Sequence, residues 1–85
     1  MIDTRYQTFL ALADSLDYSK TAQELYLSKP AITQHIHYLE TDLEVKLFHN
    51  QGGNLELTTK GQLLKTHLVV INDHIDTLLR ALATK

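Results

Sequence analysis

No cysteine stands anywhere in this 85-residue chain. That absence excludes a disulfide framework and a thiolate metal site, and it fits a reducing compartment, so a cytoplasmic location is expected. One proline and three glycines leave little room for long loops, and most of the chain should be regular structure, chiefly helix. No apolar run with a basic flank lies near the start, so neither a signal peptide nor a transmembrane helix is expected, and no membrane partner. An excess of positive charge is missing as well: 8 Lys and Arg face 10 Asp and Glu, for a formal net charge of −2. Nucleic-acid-binding domains are usually basic, so one copy alone should hold DNA weakly.

The absences extend to chemistry. No nucleophile, base and orienting group suggest themselves as a trio, and Gly52-Gly53 lacks the strand–loop–helix context of a phosphate loop. No enzyme reading survives. Of the five histidines, His35 and His37 diverge on a helix. His67 and His74, with Asp73 and Asp76 nearby, read better as surface or interface groups than as ligands. No metal and no cofactor are expected.

What is present is ordinary globular material, 44% hydrophobic and 21% charged, enough for one small domain with a modest core. Tyr6, Phe9, Leu10 and Ala13, continued at Leu16, recur at helical spacing and predict a first helix over about Thr4 to Ser15, capped by Asp3 or Thr4. Ser19 can cap a second helix that turns Ala22 and Leu25 inward. Tyr26-Leu27-Ser28 make a turn. Ser28 then caps a third helix over about 28–43, with Pro30 in the first turn where a missing N–H costs nothing. Its Ile32, Ile36, Leu39 and Leu43 share one buried stripe. The opposite face carries Pro30, Thr33, Gln34 and His37, a set of hydroxyl, amide and imidazole groups unlike a solvated Glu/Lys mixture. Between Ser28 and Leu39 the one full charge is Lys29.

Leu47-Phe48-His49 and Leu55-Glu56-Leu57 predict two short strands around Asn50, Gln51, Gly52, Gly53 and Asn54, a β-hairpin by turn chemistry. Thr58 or Thr59 caps a last helix reaching about Leu82. Along it Leu64, Leu68, Ile71, Ile75, Leu78 and Leu82 alternate steps of four and three, a heptad seam widened by Leu63, Val70 and Leu79. About twenty helical residues span about 30 Å, long for so small a body. A second copy is the expected cover; the alternative is that part of the seam packs on the first helix.

These residues resemble the N-terminal DNA-binding domains of LysR-type bacterial transcriptional regulators. The resemblance rests on Tyr18-Ser19-Lys20-Thr21-Ala22 with Leu25, on Ser28-Lys29-Pro30-Ala31-Ile32-Thr33-Gln34-His35-Ile36, and on Leu39-Glu40, Leu43, Leu47-Phe48 and Leu57-Thr58-Thr59-Lys60-Gly61. It implies a mainly α winged helix-turn-helix over 1–58 and a linker helix over 59–85 that pairs two copies. The implied partner is double-stranded DNA bearing an inverted repeat. Lys29, Pro30, Thr33 and Gln34 would read bases, and Ser19, Lys20, Thr21 and His37 would contact phosphates. An effector would act only through a domain absent from this chain. The chain departs from the pattern where Lys29 replaces Gln, Glu44 replaces Gly and Asn50 replaces Arg, so no arginine contact from the wing is expected. A competing reading makes the chain an interaction module that heterodimerises with related regulators and inhibits them.

Overall fold

The computed structural model describes residues 3–84; the outermost residues of the two expected segments lie outside that range. Four helices and one hairpin follow in the order α1 (Thr4–Ser15), α2 (Tyr18–Leu25), α3 (Lys29–Leu43), β1 (Phe48–Gln51), β2 (Asn54–Leu57) and α4 (Thr59–Ala83). The mainly helical class with a two-stranded wing is as expected from the periodicities.

Each helix starts on a side chain that satisfies a free backbone N–H. Asp3 accepts from the Arg5 amide at 2.8 Å, Ser28 from Ala31 at 3.2 Å, and Thr58 from Gly61 at 3.0 Å. The expected cap of α2 is corrected: Asp17, not Ser19, accepts from the Lys20 amide at 3.0 Å, and Ser19 lies inside the first turn. Three helices stop on a left-handed residue that is not glycine: Leu16 (φ 55), Tyr26 (φ 57) and Glu44 (φ 58).

The core joins Phe9, Leu12 and Ala13 of α1, Ala22 of α2, Ile32, Ile36 and Leu39 of α3, and Leu47, Phe48 and Leu68. Phe9 and Phe48 set their rings 5.5 Å apart at 56°, fastening the wing strand to α1. The stripe of α3 is buried only through Leu39. Leu43, expected inside, is 38% exposed, because the helix ends there and the chain turns away toward the wing. Leu16 is exposed too, at the left-handed stop of α1. Thr8, which no hydrophobic pattern marks, is fully buried. Its Oγ1 donates to the Thr4 carbonyl at 3.2 Å and lies 2.8 Å from Nδ1 of His35, a polar tie between α1 and α3.

The hairpin pairs Phe48 with Leu57, His49 with Glu56, Asn50 with Leu55 and Gln51 with Asn54. Its loop is therefore Gly52-Gly53 alone, both at positive φ (58 and 86), as tight two-residue hairpin loops demand. The expected five-residue loop is two residues long because Asn50, Gln51 and Asn54 join the ladder. Leu47 falls outside β1 and is wholly buried instead.

Leu47 is also where wing, α3 and α4 meet. Its amide donates to Glu40 Oε2 at 2.7 Å, with the Phe48 amide at 3.4 Å. Its carbonyl accepts from the Thr58 amide at 3.0 Å. Gly61, in the first turn of α4, passes so close that a Cβ there would collide with the Leu47 carbonyl and press on Leu57.

At 25 residues, α4 is about 37 Å long at 1.5 Å per residue. It accounts for the 52 × 26 × 20 Å extents of the molecule. Its seam divides. Leu68 is 5% exposed and Leu64 packs beside it on the core, so these two are engaged by their own domain, a correction to their expected place in a dimer seam. Ile75 is half-buried along a groove with Leu10, Ala11 and Leu25. Ile71, Leu78 and Leu82 remain exposed.

Candidate nucleic-acid interface

The buried stripe of α3 fixes which of its side chains face outward. With Ile32, Ile36 and Leu39 in the core, Lys29, Pro30, Thr33, Gln34 and His37 are all exposed. They start at the N-terminus of the helix, where free N–H groups and the dipole favour an anion. No carboxylate interrupts the helix before Glu40. Thr33 Oγ1 donates back to the Lys29 carbonyl at 3.2 Å. That bond uses the hydroxyl proton, so the side chain meets an outside partner as an acceptor, able to take an amino proton of adenine or cytosine. Gln34 carries both donor and acceptor and suits the N6/N7 edge of adenine.

Ser19 and Lys20 stand exposed in the first turn of α2, next to the helix-turn-helix corner. Thr21 does not join them. It is fully buried, and its Oγ1 lies 2.7 Å from Ser15 Oγ. The expected phosphate contact from the Thr21 side chain is withdrawn, since its hydroxyl closes the α1–α2 corner.

The wing tip Asn50, Gln51, Gly52, Gly53 and Asn54 is exposed throughout and uncharged. Behind it His49 Nε2 and Glu56 Oε1 are 3.6 Å apart across the ladder. Glu40, quoted in the sequence without a role, sets the wing's origin: it receives the Leu47 and Phe48 amides and sits 3.9 Å from the Lys46 ammonium. Burial, and then the nearby Glu40 charge, push the Tyr18 phenol above its usual range, so it stays neutral at the α2 end of this surface. Among the described residues no group of His, Cys, Asp and Glu is placed to hold a metal ion.

A second cluster escaped the sequence reading. Arg5, in the first turn of α1, pairs with Asp3 and lies over the ring of Tyr38, with 3.9 Å from guanidinium carbon to ring centroid. The hydrogen bonds from the Arg5 side chain and amide hold the Asp3 carboxyl far below the usual range, and the same pairing raises Arg5. Nothing in helical periodicity joins positions 5 and 38, and only the packing of α1 on α3 does.

With this geometry in view, likeness to known proteins can be placed. Residues 4–62 match the model of bacterial regulatory helix-turn-helix proteins of the lysR family. The HTH-type transcriptional regulator YxjO of Bacillus subtilis is 42% identical over 57 residues, covering 67% of this chain and 20% of that protein. The HTH-type transcriptional activator AmpR of Citrobacter freundii is 39% identical over 70 residues, covering 82% and 23%. The chain thus spans about a fifth of the length of the curated relatives it matches. A crystal structure of a LysR-family transcriptional regulator from Eggerthella lenta superposes with TM-score 0.77 at 40% identity, over 81% of this chain and 99% of that one. The BenM DNA-binding domain in its complex with benA site 1 DNA superposes at TM-score 0.88 over 95% of this chain and 94% of that one. At 18% identity that last likeness is one of fold.

Proposed function

Because this chain belongs to the lysR family of bacterial regulatory helix-turn-helix proteins, we propose that it binds double-stranded DNA sequence-specifically, as the DNA-binding domain of a dimeric transcriptional regulator in the cytoplasm. The observation that carries the reading is the outward face of α3. Its buried stripe seats the helix on the core, and its exposed N-terminal half presents Lys29, Pro30, Thr33, Gln34 and His37 with no acid among them.

In this reading α3 enters the major groove N-terminus first. Gln34 and Thr33 contact base edges, the Pro30 ring touches a thymine methyl, and Lys29 reaches a guanine edge or a phosphate. Ser19, Lys20 and His37 hold phosphates, which positions the domain without reading sequence. The uncharged wing lies along the neighbouring backbone and adds little affinity. Pairing through α4 repeats the unit about a two-fold axis, so the DNA sequence should be an inverted repeat.

Selection from a randomised duplex pool at low salt tests this directly, with the double substitution Thr33→Ala, Gln34→Ala as control. The native domain should enrich an inverted repeat and the control should not. Each bidentate base contact is worth about 1–3 kcal/mol of discrimination. A folded, dimeric domain that enriches nothing would overturn the reading in favour of a module that acts on related regulators through α4.

A further inference from the structure

Arg5 stands at the margin of the face that α3 exposes. Its Nε and Nη2 donate to the Asp3 carboxylate at 2.9 and 2.7 Å, and those two bonds do not use Nη1. Tyr38, on which the guanidinium rests, is 51% exposed. It follows Gln34 by four residues, hence along the same ridge of the helix. It lines one shallow concavity with Thr33, Gln34, His37 and Thr41. An arginine stacked on a half-exposed ring is therefore a fixed cation bordering the residues assigned to DNA, and no part of the core.

Three physical points bear on its use. A free arginine carries about 2 kcal/mol of rotamer entropy, and bracing by Asp3 and Tyr38 removes most of that loss from a later contact. The planar fork matches two phosphate oxygens. Its position beside the C-terminal half of α3, away from the base-reading first turns, suits the sugar-phosphate rail and not a base edge. The chain also has need of it, since the wing tip offers no charge.

We propose that Arg5, braced on Tyr38, is a DNA phosphate contact flanking the groove that α3 enters, and that the Asp3 carboxylate tempers its strength. The inference rests on the DNA-binding reading above. Tyr38 thus becomes a positioning residue, and Asp3 serves both as helix cap and as a built-in competitor for the phosphate.

The test is a salt series of binding to the selected duplex and to a random-sequence duplex by the native domain, Arg5→Ala, Arg5→Lys and Asp3→Asn. Losing one phosphate contact should lower the magnitude of the log K against log salt slope by about 0.9. Arg5→Ala should show that loss equally on both duplexes, and Arg5→Lys should restore most of the slope. Asp3→Asn keeps a good cap and should bind more tightly than native. A native slope in Arg5→Ala, an effect confined to the selected duplex, or an Asp3→Asn as weak as Arg5→Ala would each overturn the proposal. Should Arg5→Ala fold poorly, the Lys and Asn variants decide alone, because a structural clamp predicts weakening in both. A native domain that binds neither duplex removes the DNA-binding reading itself, whereas native binding with an unaltered Arg5→Ala slope removes this inference only.

Discussion

Single side chains carry the junctions of this molecule, and the residues that do so are seldom those with the strongest sequence signal. Leu47 shows how: Glu40 takes its amide, Thr58 donates to its carbonyl, and Gly61 leaves room for that carbonyl to approach α4. Removing any of the three loosens the wing from the helix that reads DNA. Gly61→Ala is the sharpest trial. Alanine is the better helix former by about 1 kcal/mol, so a free helix would gain. Here the added methyl collides with backbone that cannot rotate away, and overpacking of this kind costs about 1–3 kcal/mol or more. Denaturant unfolding should therefore show Gly61→Ala less stable than native, and a stability gain would mean that the α4 start is not held against Leu47. Thr21 teaches the complementary lesson. A threonine beside an exposed lysine in a helix-turn-helix reads as a surface hydroxyl, yet its bond to Ser15 makes burial tolerable. Pairing of two hydroxyls six residues apart leaves no trace in hydropathy.

At the scale of elements, the features legible in the chain are those with a local cause. The Ser28 cap with Pro30 behind it, the four-three-four stripe of α3 and the double glycine of the hairpin each rest on neighbours in sequence, and each reappears in the fold. Boundaries that rest on competition between neighbours were harder to place. Asp17 outbids Ser19 as a cap because α2 begins at Tyr18, and the β ladder runs two residues further toward the turn than apolar alternation suggests. Glu44 belongs to the same scale. It occupies the left-handed stop of α3 with φ 58, where relatives of this kind carry glycine by the resemblance described above. A non-glycine residue in that conformation costs roughly 1–2 kcal/mol. Its side chain is exposed and accepts no hydrogen bond that would compensate. Glu44→Gly should consequently raise the unfolding free energy by about 1 kcal/mol while also removing an acid near the DNA-facing helix. An unchanged or lower midpoint would show that Glu44 holds the turn by some contact of its side chain.

On the scale of the whole molecule, α4 is the element whose environment the chain itself does not complete. Heptad periodicity announced one seam, but three-dimensional packing divides it. Leu64 and Leu68 face α1 and the core, whereas Ile71, Leu78 and Leu82 face water together with Val70 and Leu79. Sequence alone could not locate that division, since it depends on where the globular body stops under a helix about 37 Å long. The split makes two roles separable by mutation. Leu68→Ala removes a buried side chain and should destabilise the fold by about 2–5 kcal/mol. Leu78→Lys with Leu82→Lys alters groups that are already exposed, so the helix-turn-helix should remain folded by circular dichroism. If a second copy covers this face, sedimentation should show the double lysine variant shifted from dimer to monomer. Its affinity for an inverted repeat should then fall toward that for a single half-site. A double variant that sediments as the native domain does would place the pairing surface elsewhere, and the groove along Leu10, Leu25 and Ile75 would be the next face to alter.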